Sequence, residues 1–391
     1  MIGVNGQQGN HGSNGNHGSN GNHWSNGNHG SNGPTRTLNV GVVGLGYWGP
    51  NLLRVLAEMP AVRVKWICDL DEQLLDGLKH RYPAVARTTN VDLLFEDPEV
   101  DAVFIATPVF THFDLASRAL EAGKHTFVEK PLAPSAELAS ELLRRARMRE
   151  RVLMCGHTFL YSPPVRLVKD LLRRDELGEI FFISSSRVNL GLHQPDVSVI
   201  WDLGPHDFSI LLYWLEELPS AVRATGRDSI VSGIPDVAFI TLAYRSGIVA
   251  NVELSWLAPS KLRRTVIVGS KKMVVYDDGS SEPIRIFDRG VVYKDPETFG
   301  EYKLSYRTGD ILSPKIEAYE PIAKELEDFC GAIREGRETV ASAHLAKDVV
   351  KLTEAADDSL SRGGAEVALQ PARRFQSLAD APSLADGRPP G

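Results

Sequence analysis

The sequence predicts a two-domain chain: an α/β domain built on a parallel sheet, then an α+β domain with a large, open, mostly antiparallel sheet. Short apolar runs alternate with helical periods up to about Cys155, and β-rich segments dominate afterwards. The length of 391 residues also exceeds what a single hydrophobic core usually serves. Apolar residues make up 42% of the chain, which suits a soluble globular protein.

The first half of the folded region predicts the parallel sheet, because parallel strands need crossover connections. Its strands and helices are predicted, in order, at 38–44, 49–58, 62–69, 72–81, 100–107, 113–122 and 125–129. The runs 40–43 and 103–106 are continuously apolar, as expected for strands buried on both faces.

The second half opens with a helical stretch at 165–174, before the β-rich segments. Strands are predicted at 181–188, 221–227, 237–244, 248–257, 264–268 and 272–276. Turn signals at 245–247 and 269–270 separate neighbouring strands. Apolar stripes at 316–333 and 345–360 predict two closing helices.

The ends of the chain differ in composition from its middle. Four NHGSNG-like hexamers fill residues 10–33, so the segment 1–36 is expected to be disordered. Its regularly spaced histidines could converge on a transition metal, but a solvated low-complexity tail is favoured, and we predict no metal site. The predicted domains are 37–155 and 156–338, then a helical segment, 339–365, that packs back toward the first domain, and a loose tail, 366–391.

Composition excludes several classes of function. The net charge of −7 argues against a nucleic-acid partner, which usually requires a basic face. The three cysteines lie far apart, without the spacing of a zinc site. Because the sequence has no signal-peptide pattern and no long apolar run, we expect no membrane partner and a cytoplasmic location.

A glycine-rich motif follows the first predicted strand. Gly44, Gly46 and Gly49 form a GxGxxG pattern that opens a helix, and Asp69 ends the second strand 20 residues later. This is the fingerprint of a dinucleotide-binding Rossmann domain, in which the glycines and the helix N-terminus hold the pyrophosphate. Tyr47 and Trp48 belong to the same loop. An acid at position 69 should bind the ribose hydroxyls and repel a 2′-phosphate, so NAD is preferred to NADP.

Two further segments carry candidate chemistry. Glu129-Lys130-Pro131 directly follows a predicted strand, and an Asp-x-Gly-x-His segment runs from Asp202 to His206. With the glycine loop, these motifs occur in an order that resembles the Gfo/Idh/MocA oxidoreductase family, and the resemblance covers roughly residues 38–365. It implies NAD or NADP in the first domain, and a sugar, nucleotide-activated sugar or inositol as substrate. It carries the family's lysine, acid and catalytic histidine onto Lys130, Asp202 and His206, and implies no zinc or flavin.

The same three residues suit the chemistry of carbinol oxidation, which releases a hydride and a proton. We expect His206, with a pKa near neutrality, to act as general base. Asp202 should orient its ring from one helical turn away, and Lys130 should donate a hydrogen bond to the reacting oxygen. Each has a structural alternative: Lys130 as a solvated charge, Asp202 as a helix cap and His206 as an interior histidine.

The remaining candidate site residues fall into two groups. Those expected along the cofactor, at the carboxyl ends of strands, are Thr107, Pro108, His112, Glu129 and Lys130. Those that could contact substrate are His157, Tyr161, Arg187, Asn189, His193 and Gln194. His157 and Tyr161 could equally pack the junction between domains, and the last four could form an exposed loop.

The resulting hypothesis is hydride transfer to or from a secondary carbinol or ketone carbon of a sugar, with a nucleotide-activated sugar or aminosugar favoured. The alternatives are an inositol dehydrogenase and a non-catalytic sensor of NAD or sugar on the same fold. The segment 249–256 alternates between two faces of a strand. One face should need cover from helices and the other from a partner subunit, which predicts a homodimer or homotetramer assembled through the second sheet.

Overall fold

The computed structural model describes residues 36–191, 197–293 and 304–369. The first domain alternates strands with helices, as the sequence predicts. Its elements are β1 (Leu38–Val43), α1 (Gly49–Glu58), β2 (Val62–Cys68), α2 (Glu72–Leu78), β3 (Ala86–Thr88), α3 (Asp92–Glu96), β4 (Ala102–Ile105), α4 (Val109–Glu121), β5 (His125–Glu129), α5 (Ala136–Met148) and β6 (Leu153–Gly156).

The six strands of this domain form one parallel sheet in the order β3-β2-β1-β4-β5-β6. The order reverses direction between β1 and β4, and ligands of such sheets bind outside the carboxyl ends of the strands at that point. All four residues of β4 are buried, because helices cover both faces of a parallel sheet.

The second domain begins with a short 3-10 helix, Thr158–Tyr161, and is dominated by strands. Its other elements are α6 (Pro163–Arg173), β7 (Ile180–Leu190), α7 (Val199–Leu215), β8 (Ala221–Arg227), β9 (Val237–Ala243), β10 (Val249–Ser255), β11 (Leu257–Gly269), β12 (Met273–Asp277), β13 (Ile284–Phe287), β14 (Gly290–Tyr293), β15 (Leu304–Arg307), β16 (Ile311–Leu312), α8 (Pro321–Glu335), α9 (Ala343–Ser361) and β17 (Val367–Ala368).

Nine of these strands form a sheet in the order β16-β13-β12-β11-β7-β10-β9-β8-β17. Its pairs are antiparallel except for β7 with β10. Together with the parallel sheet, this confirms the predicted fold class. Helices α7 and α9 contact one face of the large sheet, where the alternate residues Ala250, Val252 and Leu254 are buried.

Helix α9 lies where the two domains meet. It contacts α7 and β8 of the second domain and also α5 and β6 of the first. An isolated bridge between Met154 and Ser342 lies at the same junction. The two sheets are thereby packed around shared helices, and the carboxyl ends of β5 and β6 face the second domain.

Several helix boundaries differ from the sequence prediction, and prolines account for two of the differences. Helix α7 starts at Val199, before Asp202, which the sequence offered as a possible helix cap. Pro205 lies inside α7, and a proline usually marks a first turn, which hid the earlier start. Helix α8 starts with Pro321 as its first residue, so the apolar stripe begins outside the helix, at Ile316.

Candidate active site

The glycine loop joins β1 to α1 at the switch point of the parallel sheet. Gly44 has φ +89, and a Cβ there would lie 2.5 Å from the Ala106 carbonyl oxygen. A Cβ on Gly49 would lie 1.9 Å from the Gly44 carbonyl oxygen. Packing of the chain on itself therefore requires both glycines. A Cβ on Gly46 would meet no atom within 4 Å, so at Gly46 the loop presents bare backbone to open space.

Asp69 is held next to this loop, directly after β2. Its Oδ2 accepts a 2.6 Å hydrogen bond from the Leu45 backbone N–H, and its Oδ1 accepts one of 2.9 Å from Asp71. Tyr47 is 85% exposed and packs edge-on against the half-exposed Trp48. A free helix N-terminus, open space at Gly46 and a fixed carboxylate fit the pyrophosphate and ribose of a dinucleotide.

The loop after β4 lies beside the glycine loop. Thr107 and Thr111 share a 2.7 Å hydroxyl hydrogen bond, and Pro108 is exposed. His112 is buried, and its ring nitrogens lie 2.8 Å from the carbonyl oxygens of Thr107 and Pro131. Burial lowers the pKa of His112. Its side chain therefore ties the loop after β4 to the turn after Lys130 from beneath the surface.

Lys130 connects the two domains. Its Nζ donates a 2.9 Å hydrogen bond to the Asp202 carbonyl oxygen and lies 3.3 Å from Asp202 Oδ1. The other carboxylate oxygen of Asp202 accepts a 3.1 Å hydrogen bond from the Trp256 indole. The structure thus brings together the lysine after β5 and the acid in the first turn of α7, which are 72 residues apart in sequence.

His206 lies one turn further along α7 and half-buried. Its ring packs edge-on against Phe159, with ring centroids 5.1 Å apart. Burial lowers the pKa of His206 well below its usual value, and the charges of Lys130, Arg187, His157 and Arg263 lower it further. The near-neutral pKa expected from the sequence is therefore corrected: the imidazole is neutral across the neutral range.

The expected contact between Asp202 and His206 is also absent among the described residues. The Asp202 carboxylate is instead bound by Lys130 and Trp256. The physical reason is that both carboxylate oxygens already have donors from outside α7, the Lys130 ammonium group and the Trp256 indole. Asp202 positions Lys130, and the packing of Phe159 orients the His206 ring.

A buried acidic pair lies behind Lys130. Burial raises the pKa of Glu129 to about 7, and a Cβ on Gly156 would lie 2.8 Å from its Oε2, so the glycine leaves room for it. Burial, and then the neighbouring Glu129, raise the pKa of Glu325 well above its usual value. Glu325 accepts a 2.6 Å hydrogen bond from the Thr158 hydroxyl. Two carboxyl groups in one apolar site favour the protonated form.

His157 and Tyr161 lie at the junction between the domains. Both are buried. The Tyr161 hydroxyl donates a 2.7 Å hydrogen bond to Asp328 and accepts one from the Ala341 backbone N–H, so Tyr161 packs the junction. Burial, followed by the charge of Lys130, lowers the pKa of His157 to about 3. His157 thus lies near the Lys130 ammonium group, beneath the cleft.

The remaining predicted substrate residues separate in the structure. Arg187 is 3% exposed and pairs with Asp207 through its Nε, 2.5 Å from the Asp207 carboxylate. Asn189 is half-buried, two residues further along β7. His193 and Gln194 lie outside the described residues. The sequence did not single out Phe159 or Arg263, whose side chains adjoin Arg187.

None of the helices in the described ranges combines the length and apolarity needed to cross a membrane. In the same part of the chain, no group of three or more His, Cys, Asp or Glu side chains could hold a metal ion.

Comparison with known proteins assigns the family. The family model "Oxidoreductase family, NAD-binding Rossmann fold" matches residues 38–157, and the Gfo/Idh/MocA C-terminal domain model matches 165–275. UDP-N-acetylglucosamine 3-dehydrogenase of Acidithiobacillus ferrooxidans is 31% identical over 313 residues, covering 78% of this chain and 95% of that protein. The chain belongs to the Gfo/Idh/MocA oxidoreductase family. The resemblance noted in the sequence is confirmed, and the protein is an NAD-binding oxidoreductase.

Other Gfo/Idh/MocA proteins extend the comparison. Inositol 2-dehydrogenase 2 of Saccharopolyspora erythraea is 29% identical over 226 residues, covering 56% of this chain and 66% of that protein. The structure of GenD2 from gentamicin A biosynthesis, in complex with NAD, superposes with a TM-score of 0.73 at 24% identity, covering 86% of this chain and 97% of that one. That structural likeness supports the fold alone.

Proposed function

We propose that this Gfo/Idh/MocA protein is a sugar dehydrogenase that transfers a hydride to or from a secondary carbinol or ketone carbon, with a nucleotide-activated sugar or aminosugar as substrate. The observation that carries the proposal is the convergence of Lys130, Asp202 and His206 beside the edge of the sheet that carries the glycine loop. The nucleotide-sugar preference is supported by the 31% identity to a UDP-N-acetylglucosamine 3-dehydrogenase.

In the proposed mechanism, each residue acts on one atom. Lys130 donates a hydrogen bond from Nζ to the reacting oxygen and stabilises negative charge there, while Asp202 holds the ammonium group in position. Neutral His206 accepts the hydroxyl proton during oxidation, and its cation returns the proton during reduction. The nicotinamide ring, when bound, accepts or supplies the hydride.

The cofactor proposed for this site is NAD rather than NADP. Gly44, Gly46 and Gly49 would hold the pyrophosphate, and Asp69 would accept hydrogen bonds from the adenosine ribose. The Asp69 carboxylate lies beside the glycine loop at the end of β2, so a 2′-phosphate would approach a negative charge. The same space is bordered by Thr107, Pro108, Tyr47 and Trp48. The buried side chains of His112 and Glu129 pack beneath it.

Inositol oxidation is the second candidate, supported by the relative from Saccharopolyspora erythraea. It would use the same Lys130 and His206 and differ only in the cleft. A non-catalytic sensor is disfavoured because both residues are present and close to one another. The cytoplasmic location and the oligomeric state stay predictions; the exposed face of the nine-stranded sheet is the surface proposed for subunit contact.

Turnover of defined substrates by purified protein tests the proposed function. Nucleotide sugars and inositols are offered with NAD or NADP, and NADH or NADPH formation is followed by absorbance. We expect turnover with a nucleotide sugar and NAD, and its loss in Lys130→Ala. If the protein binds NADH and turns over no sugar or cyclitol in either direction, the sensor replaces the dehydrogenase.

A further inference from the structure

Two arginines lie directly opposite each other on neighbouring strands of the large sheet. Arg187 of β7 pairs with Arg263 of β11 in the antiparallel register. Residues opposite each other project from the same face, and here that face lies beneath α7, since Asp207 of α7 binds Arg187. Like charges in this arrangement repel each other, so the pairing needs a compensating reason.

The aromatic ring of Phe159 joins these arginines to the candidate catalytic histidine. The guanidinium carbon of Arg187 lies 4.7 Å from the Phe159 ring centroid, and that of Arg263 lies 5.4 Å from it. The His206 ring packs against the same phenyl group. Both arginines therefore lie close enough to the imidazole for their charges to act on His206.

The carboxylates of the fold use only part of the hydrogen-bonding capacity of these arginines. Arg187 uses Nε for Asp207, and Arg263 uses one terminal nitrogen for Asp278, at 3.1 Å. Nη1 of Arg187 is buried, with no hydrogen-bond partner among residues 36–191, 197–293 and 304–369. A buried charged donor without an acceptor is unfavourable, so this atom points to an oxygen supplied from outside the chain.

We propose that Arg187 and Arg263 form an oxyanion subsite that binds a carboxylate or phosphate of the substrate beside the carbon on which Lys130 and His206 act. This inference rests on the proposed function and adds that an anionic group of the substrate lies beside the reacting carbon. A guanidinium group only donates hydrogen bonds, and two of its parallel N–H groups can bind two oxygens of one carboxylate or phosphate. A neutral polyol would need acceptors as well as donors, and it would leave the buried Nη1 with a weaker partner.

Ligand binding to the NADH-loaded protein tests the subsite without requiring turnover. Bound NADH blocks the pyrophosphate region, so added anions report on the substrate cleft. The probes are D-glucose, D-glucuronate and glucose 1-phosphate, titrated calorimetrically at fixed ionic strength. We expect at least one anion to bind about tenfold or more tightly than glucose. Preference for glucuronate identifies a sugar carboxylate, and preference for glucose 1-phosphate identifies a phosphate.

Arg263→Gln is the main variant because its partner Asp278 is partly exposed and can be solvated. It should remove the anion preference and leave glucose binding within about twofold. Arg264→Gln is the matched control, since Arg264 is the next residue of β11 and exposed on the opposite face; it should keep the preference. Arg187→Lys is a second variant. It keeps a positive charge for Asp207 but cannot bind two oxygens with parallel N–H groups, so it should also weaken anion binding.

The outcomes separate this inference from the proposed function. If no anion binds more tightly than glucose, or if Arg263→Gln and Arg264→Gln behave alike, the subsite is wrong while sugar turnover can still stand. If the anion preference depends on Arg263 but no sugar is oxidised or reduced, the subsite stands and the dehydrogenase assignment fails.

Discussion

At the residue scale, one aromatic ring and one lysine organise the candidate site. Phe159 contacts His206 and lies under both Arg187 and Arg263, while Lys130 joins the two domains by its contacts with Asp202. The local environment of His206 is therefore rich in cations. Such an environment stabilises negative charge that develops on the reacting oxygen and keeps the imidazole neutral.

Lys130→Ala tests the donor to the reacting oxygen. The variant should lower kcat about 100-fold or more, because loss of one donor to a developing oxyanion costs that much in other enzymes. Its dissociation constant for NADH should change little. Steady-state kinetics and NADH fluorescence titration measure the two effects. Lys79→Ala, an exposed lysine at the end of α2, is the control, and equal turnover in both variants would remove Lys130 from the mechanism.

The pH profile of oxidation tests the state of His206. A general base must be neutral to accept a proton, and burial together with nearby cations lowers the pKa of His206 well below 6.5. The limb of kcat/KM due to His206 should therefore lie well below pH 6.5, not in the neutral range. Arg263→Gln removes one of the positive charges near His206 and should move that limb to higher pH. A His206-dependent limb at or above pH 6.5 would contradict this environment.

The stability of the fold should depend on Glu129. Its folded pKa is raised from 4.5 to about 7, so the folded state binds the extra proton between these values. The stabilisation that this proton contributes is fully present below pH 4.5 and is lost as pH rises toward 7. The free energy of unfolding should therefore fall by about 3 kcal/mol over this range.

Thermal unfolding of Glu129→Gln across pH checks this dependence. A neutral amide cannot lose a proton, so the variant should gain stability relative to the parent as pH rises through this window. Glu96→Gln, at the exposed end of α3, should follow the parent at every pH. Parallel curves for Glu129→Gln and the parent would mean that Glu129 is ionised in the folded state throughout.

At the element scale, the glycines of the loop between β1 and α1 have two different roles. Packing of the chain requires Gly44 and Gly49, whereas Gly46 is available to contact a ligand. Gly49→Ala would place a Cβ 1.9 Å from a backbone oxygen, so it should lower the melting temperature without cofactor. Gly46→Ala meets open space, so it should fold normally and bind NADH about tenfold or more weakly. Thermal melts and NADH titrations measure both properties.

The control for these variants is Gly77→Ala, because Gly77 is exposed in α2 and its Cβ would also meet nothing within 4 Å. Alanine there should leave NADH binding unchanged and slightly stabilise the helix. If Gly46→Ala binds NADH as well as Gly77→Ala does, the open space beside the loop is not the pyrophosphate site.

The elements also explain which parts of the site the sequence could predict. The glycine loop and Lys130 follow buried strands directly, so periodicity and local motifs locate them. Arg263 and Glu325 lie on β11 and α8, far in sequence from the residues that they adjoin. Only the strand register places Arg263 opposite Arg187, and no local pattern in the sequence contains that register.

At the scale of the whole molecule, the two sheets differ in how they are covered. Helices bury both faces of the parallel sheet, whereas in the described part of the chain α7 and α9 cover the face of the nine-stranded sheet that buries Ala250, Val252 and Leu254. On the other face, Phe182 of β7 lies opposite Val249 of β10. Both side chains are more than 40% exposed. An apolar surface of this kind is typical of subunit contact, and it supports the proposed homodimer or homotetramer.

Val249→Glu tests that assembly. If two copies meet through this face, a carboxylate placed on it must be buried without a partner, which strongly opposes association. Light scattering should then give the mass of one 42.9 kDa chain for the variant and a multiple of it for the parent. Leu93→Glu, at an exposed apolar position of α3, is the control and should keep the parent mass. A parent mass of one chain would refute the assembly, and a variant that stays oligomeric would move the contact to another surface.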